Sequence, residues 1–158
     1  MDLVLWRHAE AKEWEPGCDD LARPLVSKGH KQAARMAAWL DRQLPASARV
    51  YCSPAVRTVQ TAEALDRPFH IKPVLAPDAS PMALRELVGW PSVGGTTLVV
   101  GHQPTLGQVV AQLMGLHEGE CAIKKGAVWW LRYRVRNGVG QTVLVTVHCS
   151  LRQAIDLV

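Results

Sequence analysis

The stretch Asp2-Leu3-Val4-Leu5-Trp6-Arg7-His8-Ala9-Glu10 determines how the rest of the chain is interpreted. A short apolar run that stops abruptly at polar residues is typical of a strand buried on both faces, as in a parallel sheet. Arg7 and His8 follow this run, at the carboxyl end of the predicted strand. In open α/β sheets, ligands bind at that end. Because an arginine fork beside a titratable nitrogen nucleophile suits phosphate chemistry, Arg7 and His8 are the first candidate site residues.

Length and composition indicate an ordinary globular protein. The 158 residues are enough for one domain with a proper core, and we expect a single domain over residues 1–158. Apolar residues make up 48% of the chain and charged residues 20%. No segment approaches the roughly 20 apolar residues that span a membrane, and the N-terminus has no basic region or cleavage site of a signal peptide. We therefore expect a cytoplasmic protein without a membrane partner.

The net charge and the spacing of the cysteines argue against several classes of function. A net charge of +4 favours an anionic substrate or an acidic partner. Nucleic acid is disfavoured, because the chain has no dense Lys/Arg block, no zinc finger and no aromatic platform motif. The four cysteines are widely scattered and no pair has the close spacing of a zinc or redox site. We expect reduced cysteines, no metal and no cofactor.

Helical and strand-like patterns alternate along the chain. After a polar loop from Ala9 to about Pro24, helical spacing predicts helices over Lys28–Leu44, from Pro54 to about Leu65, over Met82–Val88, and from Pro104 onward. Buried strands are predicted over Arg49–Ser53, His70–Leu75 and Thr96–Val100. This alternation predicts an α/β fold, a three-layer α/β/α sandwich with a mostly parallel central sheet.

The last third of the chain predicts an antiparallel hairpin at one side of that sheet. Asn137-Gly138 separates two strand-like runs, Ala127–Val135 and Thr142–Cys149, and Asn-Gly in this setting is a strong hairpin signal. Three arginines, Arg132, Arg134 and Arg136, alternate onto one face of the first run. We interpret this face as an edge strand kept soluble by charge; the alternative is a docking face for an acidic partner.

The arrangement of Arg7 and His8 recurs twice along the chain. Arg57 follows the strand that ends at Ser53-Pro54, and His102 follows the strand that ends before Gln103-Pro104. If the strands are parallel neighbours, two arginines and two histidines converge at one sheet edge. These groups repel one another unless an anion holds them together. A dianionic phosphoryl group is the natural anion, and the helix beginning near Pro104 adds its N-terminal dipole.

Three ordered motifs carry a family resemblance. They are Leu5-Trp6-Arg7-His8-Ala9-Glu10, Ser53-Pro54-x-x-Arg57-x-x-Gln60-Thr61-Ala62, and Val99-Val100-Gly101-His102-Gln103-Pro104. Together they resemble the motifs of the histidine phosphatase superfamily, which includes the phosphoglycerate mutases. The short chain and the stretch Arg23-Pro24-Leu25-x-x-x-Gly29 are similar to its small phosphohistidine phosphatase branch, the SixA type.

The resemblance implies a mechanism with roles for all four residues. His8 is expected to be the nucleophile that forms a phosphohistidine intermediate, and for this it must be neutral. Arg7 and Arg57 are expected to bind phosphoryl oxygens through bidentate forks. His102 is expected to donate a hydrogen bond to a phosphoryl oxygen in the transition state. Water then hydrolyses the intermediate, and no metal is called for.

The sequence departs from the family pattern at the position after the nucleophile and leaves the proton donor open. Ala9 stands where many members have glycine, so the local turn must be one that alanine tolerates. Glu10 matches an acidic position often seen there, and a supporting role beside the phosphate-binding side chains is expected for it. For the general acid the candidates are Asp78, Glu86 and Glu63, with Asp78 favoured because prolines hold it in a loop.

Three functions remain in competition. The favoured one is hydrolysis of phosphohistidine on a protein, for example a phosphotransfer domain in signal transduction, since the chain has no long insertion to cover its site. A phosphohistidine P–N bond also needs less acid assistance than an alkyl ester. The alternatives are a phosphatase for a small phosphorylated metabolite and a non-catalytic module that binds phosphate-like anions or a partner.

Overall fold

The protein is organised around a six-stranded sheet. The computed structural model describes residues 1–149, and its strands are β1 (Asp2–Arg7), β2 (Arg49–Cys52), β3 (His70–Ile71), β4 (Thr96–Gly101), β5 (Val128–Arg136) and β6 (Val139–His148). Their order across the sheet is β3-β2-β4-β1-β5-β6. The strands β3, β2, β4 and β1 are parallel neighbours, whereas β5 runs antiparallel to β1 and β6 antiparallel to β5.

Two helices cover each face of this sheet. The helices are α1 (Ser27–Gln43), α2 (Val56–Glu63), α3 (Pro81–Val88) and α4 (Thr105–Met114). In β1, Val4 and Trp6 join one apolar cluster with residues of α1 and α2. Leu3 and Leu5 point the other way, into a second cluster with residues of α3 and α4. Because successive strand side chains point to opposite faces, the continuous apolar run of β1 fills both cores.

The predicted architecture is confirmed. The layers of helix, sheet and helix, the mostly parallel sheet and the hairpin at one side all match the expectation. Within the described residues, none of the helices is long and apolar enough to cross a bilayer.

Several boundaries differ from the predicted ones at prolines. Pro54 and Pro104 were expected to be the first helical residues, but α2 begins at Val56 and α4 at Thr105. The predicted strand over His70–Leu75 is also wrong beyond Ile71, because Pro73–Leu75 forms a single 3₁₀ turn. Proline lacks the amide hydrogen that a strand ladder uses, so the strand stops before Pro73.

The hairpin forms around the predicted turn. Asn137 and Gly138 both have positive φ, 51° and 75°, which is the geometry of the two-residue turn that Asn-Gly favours. The interpretation of the arginine face as an edge strand is wrong, since β6 is the outer strand and β5 lies between β1 and β6. Arg132 instead binds Asp2 of β1 with two hydrogen bonds, each 2.9 Å long.

Candidate active site

The carboxyl ends of three adjacent parallel strands bring the predicted residues together. His8 follows β1, His102 follows β4, and Ser53 follows β2. Lateral hydrogen bonds tie these ends: the His8 amide donates to the Gly101 carbonyl and the Ser53 amide to the Val100 carbonyl, both at 3.1 Å. The His8 and His102 ring centroids are 5.4 Å apart. The ends of the parallel strands therefore form one site, as the strand-end argument predicts.

A backbone contact sets the tautomer of His8. Its Nδ1 lies 2.8 Å from the Ala9 carbonyl oxygen, and since a carbonyl only accepts, Nδ1 carries the proton. The Nε2 of neutral His8 is then left with its lone pair free. Burial lowers the pKa of His8 to about 4; the Ala9 hydrogen bond opposes this shift, and the charges of Arg57 and Arg7 add to it. His8 is thus a neutral imidazole at pH 7.

Two guanidinium groups, the buried one of Arg57 and the half-buried one of Arg7, flank the histidines. Arg57, in the first turn of α2, is 4% exposed, and its charge lowers the pKa of both His8 and His102. Arg7 donates from Nη1 to the Ile123 carbonyl at 2.7 Å. In each arginine the Nε is buried and has no hydrogen-bond partner among residues 1–149. Because both side chains line the same cavity, an oxyanion in it would lie beside two guanidinium groups, which suit bidentate binding of phosphate.

The second histidine is held by a serine. His102 Nε2 and Ser53 Oγ are 2.7 Å apart, and Ser53 Oγ also accepts from the Ala55 amide. Burial, and then the charges of Arg57 and His8, lower the pKa of His102 to about 3. His102 is therefore neutral at pH 7 and carries one ring proton; when the Ser53 hydroxyl donates to Nε2, that proton lies on Nδ1 and can be donated to another acceptor.

The departure at Ala9 is accommodated without backbone strain. Ala9 is fully buried and does not have a positive φ, unlike Asp66, Asp78 and Asn137. Its amide donates to the Thr61 hydroxyl at 3.1 Å, and that hydroxyl donates to the Arg57 carbonyl. The position after His8 is thus one that alanine tolerates, and it links His8 to the helix that carries Arg57.

The four residues lie in the wall of a small, open cavity of about 250 Å³. Its wall also contains three charged residues to which the sequence analysis gave no role: Glu13, Arg23 and Lys125. Arg23 belongs to the motif that suggested the SixA branch, which was the available signal for it. Lys125 and Glu13 lie in irregular segments, and no periodic pattern could indicate where such side chains point.

The two remaining predicted residues lie differently. Glu10 forms an ion pair with Lys125 at 3.4 Å, at the rim of the cavity. Asp78 is exposed and lies outside the cavity wall, although its neighbour Pro77 is part of that wall. Among the described residues, the carboxylate that lines the cavity is that of Glu13. A proton-donor role for Asp78 stays a prediction.

A larger cavity of about 650 Å³ adjoins the amino end of β2, but its arginines are bound to protein acceptors: Arg49 to Gly94 and Thr97, and Arg67 to Asp41. Within residues 1–149, no group of three or more His, Cys, Asp or Glu side chains is arranged to hold a metal ion.

Comparison with known families agrees with the site geometry. A family model described as histidine phosphatase superfamily (branch 1) matches residues 3–91, more than half of the 158 residues. The chain belongs to the histidine phosphatase superfamily. A curated relative, the uncharacterised protein MT1313 of Mycobacterium tuberculosis, is 31% identical over 119 residues, which cover 74% of this chain and 75% of the relative.

Solved structures share the whole histidine phosphatase fold. A protein of Agrobacterium tumefaciens proposed to be the phosphohistidine phosphatase SixA has a TM-score of 0.77 at 21% identity, covering 94% of this chain and 97% of that one. The protein histidine phosphatase SixA complexed with tungstate has a TM-score of 0.73 at 22% identity with the same coverage. An Entamoeba histolytica phosphoserine phosphatase with 3-phosphoglyceric acid has a TM-score of 0.71 at 16% identity, covering 95% and 98%.

Proposed function

We propose that this histidine phosphatase hydrolyses phosphohistidine on a protein, through a covalent phosphohistidine intermediate at His8. One observation carries the proposal: the Ala9 carbonyl holds the proton of His8 on Nδ1, 2.8 Å away. Nε2 is thereby the free nucleophilic nitrogen, and His8 lies in one cavity wall with Arg7 and Arg57. A neutral nucleophile beside two fixed cations is what transfer of a dianionic phosphoryl group requires.

In the proposed first step, Nε2 of His8 forms a bond to phosphorus while the bond from phosphorus to the substrate nitrogen breaks. The departing imidazole takes the bonding electron pair, and its second ring nitrogen can already carry a proton, so it leaves as a neutral ring. Arg7 and Arg57 bind phosphoryl oxygens, and His102 donates a hydrogen bond to one of them. The side chains alone perform this step, without a metal.

In the second step, water attacks phosphorus and the bond to Nε2 of His8 breaks. Inorganic phosphate is released, the water proton goes to phosphate or solvent, and His8 returns to its neutral form. The same four side chains serve both steps, because the transferred group keeps its place between them while the nucleophile and leaving group change.

The preference for a P–N bond rests on the leaving group and on access to the site. An alkyl ester needs a proton donor for its departing oxygen. Among the described residues, Glu13 is the carboxylate in the cavity wall, and it is exposed; Asp78 is exposed too and lies outside the wall. Neither is a buried acid that would hold a proton for a departing oxygen. The cavity is small, about 250 Å³, and open to solvent, which suits a phosphorylated side chain carried by another protein. The likeness of fold to SixA structures supports the same choice.

A phosphatase for a small phosphate ester is the second candidate, favoured by the likeness of fold to the phosphoserine phosphatase. Lys125 on the wall, whose ion pair with Glu10 is long at 3.4 Å, would then bind a second anionic group of a metabolite.

The test compares turnover of three substrates: a histidine-phosphorylated phosphotransfer domain, an activated aryl phosphate and a sugar phosphate. Wild type is compared with His8→Ala and with His30→Ala, a matched control at an exposed histidine of α1. We expect the phosphorylated protein to be the fastest substrate, no turnover by His8→Ala, and full activity of His30→Ala. Faster turnover of the sugar phosphate would favour the metabolite phosphatase. A wild type that binds vanadate without turning over any substrate would overturn the enzymatic proposal.

A further inference from the structure

Asp20 holds the phosphate-binding arginine from outside the cavity wall. This aspartate begins a short 3₁₀ turn, Asp20–Ala22, in the loop between β1 and α1. Its backbone carbonyl accepts a hydrogen bond from Arg57 Nη1 at 2.7 Å, and its carboxylate accepts one from Arg57 Nη2 at 3.1 Å. Both terminal nitrogens of Arg57 are therefore bound by one residue.

The geometry of a guanidinium shows what this contact leaves free. The group presents two edges, each with two parallel N–H bonds: one edge joins Nη1 and Nη2, and the other joins Nε to one Nη. Asp20 occupies the first edge of Arg57. The second edge includes the buried Nε that has no partner within residues 1–149. Asp20 thus holds one edge of the guanidinium and leaves the rest of the group, on a side chain that lines the cavity, for an oxyanion.

The same carboxylate holds a second arginine of the cavity wall. Arg23 Nε and Nη2 both lie 2.9 Å from Asp20 Oδ1, and Arg23 Nη1 donates to the Lys12 carbonyl. Burial disfavours the charge of Asp20, but the hydrogen bond from Arg23 and the charge of Arg57 outweigh it and hold the pKa of Asp20 below its usual value. Asp20 is therefore a carboxylate at neutral pH, bridging two cations.

We propose that Asp20 is a positioning residue for phosphoryl transfer, which fixes the guanidinium of Arg57 in the cavity wall so that it binds the phosphoryl group in one orientation. This inference rests on the proposed function, because it assigns Arg57 to an anion. Asp20 itself touches no reacting atom in this scheme, and its effect passes through Arg57. Removal of the carboxylate lets the guanidinium rotate, and a misplaced cation weakens binding of the anion.

The first experiment measures vanadate affinity by calorimetry and KM for the aryl phosphate. Wild type is compared with Asp20→Ala, Asp20→Asn and the neighbouring control Asp19→Asn, whose carboxylate accepts from the Leu21 amide instead. We expect Asp20→Ala to weaken vanadate binding and raise KM by about tenfold, the loss of one charge-assisted hydrogen bond. Asp20→Asn, which keeps an acceptor oxygen for Arg57, should recover part of this loss. Asp19→Asn should stay within about twofold of wild type.

A loss of folded protein cannot mimic this result, because it lowers kcat while the remaining active molecules keep their KM and vanadate affinity. If Asp20→Ala changes only kcat, or binds vanadate as tightly as wild type, the inference is wrong. Vanadate binding requires no turnover, so it tests Asp20 even if the phosphatase assays fail.

A double-mutant cycle then tests whether Arg57 transmits the effect. In the Arg57→Ala background, we expect Asp20→Ala to cause no further loss of vanadate affinity, while in the Arg23→Ala background the loss should persist. The reverse result would assign the positioning to Arg23 and overturn the role given to Arg57.

Discussion

His8 combines a buried position with an unprotonated ring. A solvent-exposed imidazole beside two arginines would still be partly hydrated, but His8 is 7% exposed, so desolvation and charge act in the same direction. The fixed Nδ1 proton leaves the Nε2 lone pair available without a separate base. In the proposed reaction, His8 therefore needs no proton transfer before it attacks phosphorus.

The first prediction concerns the titration of His8. Because its pKa lies at about 4 rather than 6.5, we expect its imidazole NMR signals to stay those of the neutral ring from pH 8 down to about pH 5. Arg57→Ala should move the midpoint upward, because the positive charge that disfavours the imidazolium is removed. Spectra of His8→Ala assign the signals. A midpoint near 6.5 in wild type would contradict the burial argument.

Residues at strand ends were predictable, and residues in loops were not. Apolar runs are directly followed by Arg7-His8 and by Gly101-His102. Because neighbouring parallel strands end at the same edge of a sheet, the sequence predicts that these side chains lie close together. Lys125 reaches the cavity because the Gly126 amide binds the carbonyls of Arg7 and His8. A backbone contact between residues so far apart in sequence produces no local pattern.

At the scale of elements, a close approach between α1 and the loop after β1 supports the site. Gly29 in the first turns of α1 is buried, and a Cβ there would collide with the Glu10 carbonyl. The amides of Val26 and Lys12 bind the Glu10 and Pro24 carbonyls nearby. The glycine of the motif shared with the SixA branch therefore lets a helix backbone lie directly against the segment that follows His8.

The second prediction tests this approach. Gly29→Ala should lower the free energy of unfolding by about 1–3 kcal/mol, the usual effect of overpacking, and should also reduce kcat/KM because the segment after His8 must shift. Gly119→Ala is the matched control, since a Cβ at that position meets no atom within 4 Å. Urea unfolding and aryl phosphate kinetics measure both effects. Equal behaviour of the two variants would show that the segment has room to adjust.

Element types were predictable to a larger extent than their boundaries. In α1, Ala33, Met36, Ala37 and Leu40 are all buried, so apolar periodicity identified the helix correctly. At α2, Pro54 is favourable for a helix start, but the Ser53 hydroxyl accepts the Ala55 amide and binds His102. The chain stays extended there because Ser53 contacts His102, which follows another strand. The spacing of residues along the sequence gives no sign of such a contact.

At the scale of the whole molecule, the two buried histidines couple the site to folding. Both are neutral in the folded protein, with pKa values of about 4 for His8 and about 3 for His102. The ordinary value for an unfolded histidine is 6.5. Between pH 6.5 and about 4, the unfolded chain therefore binds protons that the folded one does not, and the free energy of unfolding must fall as the pH falls. Above pH 6.5 both histidines are neutral in the folded and in the unfolded chain, so no free energy of unfolding is lost there.

The third prediction is a loss of stability between pH 7 and pH 5 that the two site histidines cause. At roughly 1.36 kcal/mol per pKa unit, the shift of His8 corresponds to about 3 kcal/mol over its full range. The stabilisation from Asp2 and Asp20, whose pKa values are lowered, is present above their ordinary pKa of 3.8 and is lost as the pH falls below it, so it changes little in this window. Urea unfolding at pH 7, 6 and 5 should show the free energy of unfolding falling with pH. His8→Gln and His102→Gln should each reduce this slope, and His30→Gln, at an exposed position, should leave it unchanged.

If the slope survives in both site variants, protonation of other groups drives the acid sensitivity, and the histidines are not held neutral by burial. If it disappears, folding itself keeps the His8 ring neutral: stability falls as the pH drops below 6.5, while His8 of the folded protein stays unprotonated down to about pH 5.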